Sequence, residues 1–424
     1  MVMMDSKDVD EMLKKCNRCG ACQSVCPVYA ELGVESGLAR GKIQLVRGLK
    51  QGELVWSPGI AKRMDLCLQC KRCTVNCPGG TEGDALIRWG RAEAQKKVGV
   101  PFLYKLIARF LLPRREIFTS ALTMGKFGQK ILFRPGPNGQ GQLPRIPLGL
   151  DQRRVIGTLA SQTLKQRLPQ VNPVPSPVLK VVYFSGCMAN YLYPQVGEAL
   201  VRVLNQNRVE VVVPKLQHCC GMPVYSSGDF ETARIMAQEN IKVLAGVAAD
   251  AIVVSCGSCG LALKEHYPEL WADGSELREK ARQVGEKVKD ITELVALLDF
   301  TKGLGRLDGK VTYHDPCHLR NGMKVARQPR GILKSIPGLT FIETQQGHCC
   351  GSGGSFSLKH YDLSAKITDC CQEELSRTGA EIVATGCLAC RMQLEDGIAQ
   401  KGINLQVRHT VELLDHSYRG KSIL

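Results

Sequence analysis

Apolar and polar positions along this chain fall into three regimes. Between residues 26 and 67 the apolar positions recur at helical spacing, as in Gly41-Lys42-Ile43-Gln44-Leu45-Val46-Arg47. From about residue 179 short apolar runs alternate with helical stretches: Val181-Val182-Tyr183-Phe184, Val209 to Val213 and Ala251-Ile252-Val253-Val254, then again near Val311, Phe341 and Ile382. Runs that short, with helices between them, predict buried strands of a mainly parallel sheet. Between these regimes, Phe102-Leu103-Tyr104 to Phe110-Leu111-Leu112 is strongly apolar, with Lys105 and Arg109 four residues apart. A basic amphipathic helix of this kind packs on its own domains, lies on a membrane surface or meets a partner subunit. Residues 134–178 hold eight of the 20 prolines and predict an extended linker around one short polar helical segment. The predicted fold class is therefore α + α/β. An α-helical domain at 1–98 and a helical segment with linker at 99–178 precede two α/β modules at 179–302 and 308–420.

The two modules are copies, and cysteines mark the repeat. The first carries Cys187, then Cys219-Cys220-Gly221, then Cys256-Gly-Ser-Cys259. The second carries Cys317, Cys349-Cys350-Gly351 and Cys387-Leu-Ala-Cys390. In both, 31 residues separate the first cysteine from the pair, and 35 or 36 separate the pair from the final Cys-x-x-Cys. In a parallel sheet the loops that follow the strands gather at the carboxyl edge, so the five cysteines of each module converge on one site. Five thiolates exceed the four of a cubane or of a tetrahedral zinc site. Two readings stand: an iron–sulfur centre, or structural zinc with a spare cysteine. His218 and His348 precede the cysteine pairs and either hydrogen-bond a cluster sulfur, donate a proton, or pack beneath the loop. His314 and His318 flank Cys317 in the second module alone, which marks it for proton-coupled chemistry. Cys370 and Cys371 have no counterparts in the first module and read as buried packing residues.

A second cysteine system lies near the start. Cys16, Cys19, Cys22 and Cys26-Pro27 repeat as Cys67, Cys70, Cys73 and Cys77-Pro78, at the spacing of the two-cluster bacterial ferredoxins. In that arrangement the fourth cysteine of each run crosses over. Cys16, Cys19, Cys22 and Cys77 then hold one [4Fe–4S] cubane, and Cys67, Cys70, Cys73 and Cys26 the other.

Composition narrows the setting. The chain has 424 residues and 44% hydrophobic content, enough for several cores. Its 20 cysteines sit at metal-ligand spacings rather than in a small secreted scaffold, which predicts the reducing cytoplasm. The formal charge of +16 treats every cysteine as a neutral thiol. Each cubane with its four thiolates contributes about −2, so two bring the total to about +12. That moderate excess suits an acidic partner or anionic lipid, and no motif points to nucleic acid. No glycine-rich dinucleotide fingerprint or Walker loop is found, so no flavin is expected in this chain. A chain of iron–sulfur centres alone is a conduit that needs another subunit to oxidise an organic substrate.

The cysteine-rich modules resemble those of heterodisulfide reductase catalytic subunits and of glycolate and lactate oxidase iron–sulfur subunits. For the former, the resemblance implies an unusual non-cubane [4Fe–4S] centre held by all five cysteines. The spacer between the two ferredoxin runs resembles the α-helical ferredoxin domain of succinate dehydrogenase-like subunits. Its segment Glu31-Leu32-Gly33 through Ala39-Arg40-Gly41-Lys42-Ile43 resembles glycolate oxidase iron–sulfur subunits. Over the whole chain, the order of two ferredoxin clusters, linker and two modules resembles the glycolate oxidase and D-lactate dehydrogenase iron–sulfur subunits. That implies an FAD-containing 2-hydroxy-acid dehydrogenase partner, and onward transfer to a quinone-reducing partner or another carrier, with the chain cytoplasmic or peripheral on the inner face of a membrane. The alternative implied by the resemblance is a heterodisulfide reductase-type subunit that cleaves a disulfide at its own five-cysteine centres.

Overall fold

The computed structural model describes residues 6–137, 141–146 and 149–422. The first domain is helical, with Ser6–Lys15, Ala39–Lys50, Pro58–Asp65 and Gly83–Lys97 as its main helices. Their apolar stripes meet in a small core of Val9, Leu13, Ile43, Val46, Met64 and Leu86. Pro58–Asp65 shows why a helix begins there: the Ser57 hydroxyl accepts the Ile60 N–H, and Pro58 occupies a first-turn position that has no amide to satisfy.

The amphipathic stretch is helical, although not α throughout. Phe102–Tyr104 runs into a π-helical segment, Lys105–Leu111, and a second helix follows at Arg115–Leu132. A short antiparallel pair, β1 (Phe133–Pro135) and β2 (Gln142–Pro144), closes this part.

The proline-rich stretch is irregular but tied down along much of its length. Arg154 is 1% exposed and donates to the Ser357 carbonyl at 2.7 Å and to Gln393 Oε1 at 3.2 Å, both in the second module. The Val155 N–H donates to Asp396 at 2.8 Å. Thr163 opens a short helix, Leu164–Arg167, with a capping box, and Leu164 is buried in the core of the first module. Composition alone misses these ties because the acceptors for Arg154 lie some two hundred positions away in the sequence.

Two sheets follow. β3 (Val171–Asn172), β4 (Leu179–Phe184), β5 (Val209–Val212), β6 (Ala251–Val254) and β7 (Val288–Asp290) form the first, in the order β3-β5-β4-β6-β7. β8 (Gly309–His314), β9 (Leu339–Ile342), β10 (Ile382–Thr385) and β11 (Gln406–His409) form the second, in the order β11-β10-β8-β9. Every pairing is parallel except that of the edge strand β3 with β5. With β4 matched to β8, the two modules share one topology, and the first adds β3 at its edge. The central strands are buried on both faces, so they read as continuous apolar runs.

The modules pack reciprocally. The turn after Cys317, His318–Gly322, lies on the helix Gly257–Leu261 of the first module. The matching turn, Gly186–Tyr191, lies on the helix Leu388–Lys401 of the second, where Ala189 and Leu388 share a core. Arg202 clasps Asp415 with two bonds of 2.8 Å, fastening Pro194–Gln206 to Thr410–Tyr418. Apolar clusters therefore run across both modules rather than stopping at a boundary.

Candidate iron–sulfur centres

The two ferredoxin loops adopt one backbone. Arg18 and Gly20 take positive φ in the first, and Gln69 and Lys71 do so at the matching positions of the second. Such alternation turns successive N–H groups inward, a concavity suited to an anionic cluster. Each loop belongs to a cavity. One is lined by Cys16, Cys19, Cys22 and Cys77, together with Cys73. The other is lined by Cys26, Cys67, Cys70 and Cys73. Amide donors point at the sulfurs: Thr81 N–H at Cys77 (3.3 Å) and Gln69 N–H at Cys67 (3.5 Å).

The start of helix Ala39–Lys50 is wedged between the cavities, and each residue of Arg40-Gly41-Lys42-Ile43 has a place there. Arg40 lines the first cavity, locked to Glu35 by bonds of 2.6 and 2.9 Å. Lys42 lines the second, buried, with its ammonium on the Gly37 carbonyl. Ile43 enters the core, and a Cβ on Gly41 would sit 2.1 Å from the Glu35 carbonyl oxygen, so only glycine fits. In the sequence, Arg40 to Ile43 carry a resemblance but no individual roles; the structure supplies them.

In each module all five cysteines lie past the carboxyl ends of the strands. Their thiols form a file of contacts: Cys187 to Cys219, Cys219 to Cys220, Cys220 to Cys259 and Cys259 to Cys256. The second module repeats it through Cys317, Cys349, Cys350, Cys390 and Cys387. The two files meet, because Cys256 Sγ lies 3.6 Å from Cys387 Sγ. The glycine after each cysteine pair has a backbone reason: Gly221 and Gly351 take φ of 77° and 83°, and a Cβ on Gly351 would lie 2.6 Å from the Ser364 carbonyl oxygen.

These donor sets fit iron–sulfur chemistry. They are soft sulfurs, grouped without disulfides, with N–H donors around them. Burial, with Asp84 beside it, holds the Cys73 thiol well above its ordinary value, and burial does the same to Cys371. The positive charge of a bound metal supplies what such sites need to hold thiolates.

The histidines divide. His218 Nδ1 accepts the Cys219 N–H at 2.8 Å and its ring rests against Phe118. His348 uses its backbone, donating N–H to Glu374 at 3.0 Å and accepting from Cys371. His318 joins three cysteine systems. Its Nδ1 accepts the hydroxyl of Ser258, between Cys256 and Cys259, at 3.0 Å, and its Nε2–H donates to the Gln69 carbonyl, beside Cys70, at 3.1 Å. A ring nitrogen of His314 lies within 4.8 Å of the sulfurs of Cys350 and Cys390. Cys371 is buried, as expected, but it does more than pack, since its thiol lies 3.6 Å from His314 Nδ1. Cys370 departs from the expectation of a buried packing residue. It is only partly buried and faces Glu31 of the ferredoxin domain at 3.4 Å, because it occupies the side of its helix that meets that domain.

The ferredoxin domain abuts the second module at its cysteines. Arg72 donates to the Gly347 carbonyl, and Asn321 donates to the Cys70 carbonyl at 2.8 Å. Burial opposes the Arg72 charge, yet the neighbouring Cys349, Cys70 and Cys317 sulfurs hold it charged. Leu68 shares a core with Cys349 and Phe356.

Two cysteine-lined cavities followed by twin cysteine-rich modules define an iron–sulfur subunit of an oxidoreductase. Residues 12–81 match the family described as 4Fe-4S dicluster domain, and residues 181–264 and 311–395 each match the cysteine-rich domain family. The chain is 30% identical to the probable glycolate oxidase iron-sulfur subunit of Bacillus subtilis, covering 96% of this chain and 94% of that one. The glycolate oxidase iron-sulfur subunit of Escherichia coli is 28% identical, over 97% and 95% of the two chains. A fumarate reductase (CoM/CoB) subunit of Methanothermobacter marburgensis is 32% identical over 84% of this chain and 73% of its own. A crystal structure of a hypothetical protein from Helicobacter pylori shares the fold, with a TM-score of 0.55 at 9% identity, over 98% of this chain and 73% of the other. The chain belongs to the family of iron–sulfur subunits that includes the glycolate oxidase iron–sulfur subunits, and it carries several iron–sulfur clusters. Among the described residues no helix is long and apolar enough to cross a membrane.

Proposed function

We propose that this chain relays electrons for a flavin-dependent dehydrogenase of glycolate- or D-lactate-like 2-hydroxy acids. An FAD-containing partner subunit oxidises the acid, and the chain passes the electrons to a quinone or another carrier. Cys16, Cys19, Cys22 and Cys77 hold one cubane, and Cys67, Cys70, Cys73 and Cys26 the second. The two five-cysteine sets, from Cys187 to Cys259 and from Cys317 to Cys390, each hold a further centre. Bound iron–sulfur clusters supply one-electron carriers over a wide range of potentials.

The observation that carries this reading is the unbroken succession of cysteine systems. The two ferredoxin cavities share Cys73 at their border, Cys70 neighbours Cys349 and Cys317, and Cys387 touches Cys256. The surrounding side chains hold this file rigid and keep water out. His318 clamps three of its members, Arg72 and Asn321 seal the ferredoxin junction, and burial encloses Cys219, Cys220, Cys349 and Cys350. The near full-length likeness to glycolate oxidase subunits supports the substrate class. Heterodisulfide reduction has less support from these relatives.

The test is anaerobic purification of the tagged chain from its native cell, with identification of the proteins and flavin that accompany it. The complex should reduce a dye with a 2-hydroxy acid, and the isolated flavin-free chain should not. A chain that arrives without flavoprotein, and whose clusters are oxidised by a low-molecular-weight disulfide, would overturn the reading in favour of disulfide reduction.

A further inference from the structure

Large apolar side chains are concentrated in solvent on one small part of the molecule. Phe102, Leu106 and Phe110 are 79%, 45% and 46% exposed. On the following helix Met124, Phe127 and Ile131 are 73%, 79% and 75% exposed. These are not loop tips, since both triplets recur at helical spacing along Phe102–Leu111 and Arg115–Leu132.

The two helices form one hairpin laid on the first module. The Leu132 carbonyl accepts the Arg145 N–H at 2.8 Å, and four residues later Gly149 approaches Leu103. The end of the second helix is thereby brought back towards the start of the first. Their inner sides are occupied: Tyr104 donates to or accepts from Ser227 at 2.7 Å, Ala108 enters the core, and Phe118 packs edge-on against Tyr191 at 5.8 Å. The exposed triplets therefore make up the outer side of a single helical layer. A monomeric surface seldom leaves such a face uncovered.

The charge on the hairpin identifies what covers it. Between residues 101 and 134 there are seven lysines and arginines and one acid, Glu116. Lys105, Arg114, Lys130 and Arg134 are exposed around the apolar positions. Aliphatic and phenylalanine side chains ringed by cations, on a helix too polar to span a bilayer, suit the interface of an anionic membrane: the apolar tips enter the acyl boundary and the cations meet the headgroups. A docking face for an acidic protein would want charge at its centre, whereas here the centre is phenylalanine, isoleucine and methionine.

We propose that the hairpin Phe102–Leu132 is an interfacial anchor that docks this chain onto anionic lipid bilayers. This goes beyond the electron-relay reading and does not depend on which acid the partner oxidises. The experiment is co-sedimentation of the anaerobically purified holoprotein with vesicles of phosphatidylcholine alone or of equal parts phosphatidylcholine and phosphatidylglycerol. The protein should sediment with the mixed vesicles, far less with phosphatidylcholine, and progressively less as salt rises. Phe102→Glu with Phe127→Glu should abolish sedimentation, while Lys105→Glu with Lys130→Glu should weaken it and reduce its salt dependence. Cluster absorption and circular dichroism, measured on each variant, report whether the fold is retained. If the parent protein stays in the supernatant with mixed vesicles, the anchor is refuted. Full binding by a folded Phe102→Glu, Phe127→Glu variant refutes it too, as does binding that disappears only when the flavoprotein is removed.

Discussion

Cys26 and Cys77 each close one cysteine run and line the cavity of the other. Cys77→Ser should therefore damage the cluster of Cys16, Cys19 and Cys22, and Cys26→Ser that of Cys67, Cys70 and Cys73. Paramagnetic resonance with iron analysis separates the two outcomes, and about four of the eight ferredoxin irons are at stake in each. His314 is a second residue with a local consequence. Burial favours its neutral ring, with the Cys371 sulfur 3.6 Å from Nδ1 and a ring nitrogen within 4.8 Å of the Cys350 and Cys390 sulfurs. Polar groups beside cluster sulfur tune its potential. The first module has Phe184 at the matching place, by register of β4 with β8. His314→Phe should shift the midpoint potential of the second centre by on the order of tens of millivolts and leave the first unmoved. A redox titration followed by paramagnetic resonance reads both.

At the scale of the elements, β7 and β11 end alike. Asp290 and His409 are the helix caps that follow them, each in a capping box with a glutamate three residues on, Glu293 and Glu412. His409 also reaches across the module boundary, its Nε2–H donating to the Ser255 carbonyl at 3.0 Å, next to Cys256. Burial pushes His409 down to about 4 from an ordinary 6.5. Its folded value lies below its unfolded one, so the neutral ring's contribution is complete above about pH 6.5 and is lost as pH falls through about 4. The loss is on the order of 3 kcal/mol. Denaturation midpoints should show His409→Gln well below the parent at pH 7, with the gap closing by about pH 4.5. These two strands also show where the sequence stopped being legible. Val181–Phe184 and Ala251–Val254 announce themselves as unbroken apolar runs because both of their faces are covered. Val288-Lys-Asp and Gln-Val407-Arg-His alternate at a sheet edge, too short for a period to register. Aligning Val288-Lys-Asp290-Ile-Thr-Glu293-Leu with Val407-Arg-His409-Thr-Val-Glu412-Leu reveals them as a further pair in the repeat. The cysteine spacings group the same residues that the fold brings together. Cys371 and His314 escaped a full reading because their meeting depends on two helix and strand faces distant in sequence.

At the scale of the molecule, the ferredoxin domain is a third body wedged against both modules. Lys71 pairs with Glu265 of the first, and Arg109, just beyond the domain, pairs with the buried Asp229 at 2.7 Å. Arg91 spans the junction by donating to the Ser226 carbonyl at 2.6 Å and to the Cys67 carbonyl. Arg72 stands between the second ferredoxin cavity and the second five-cysteine set and touches both sides. Arg72→Ala should leave all clusters assembled and the ferredoxin pair reducible, but slow the onward reduction of the second module. Rapid-freeze paramagnetic resonance after mixing with a reductant measures the delay, and equal rates in parent and variant would place the junction elsewhere.

The reciprocal seating of the two modules also governs the order of biosynthesis. The turn after Cys187 rests on a helix that begins at Leu388, so the earlier module lacks part of its wall until nearly the whole polypeptide has left the ribosome. The ferredoxin half, whose core draws on residues 9 to 86, has no such wait. Metal loading should therefore be staged: the ferredoxin cavities, lined by residues before 90, are made while translation continues, and both five-cysteine sites are completed only when the segment from Cys387 onward has been made.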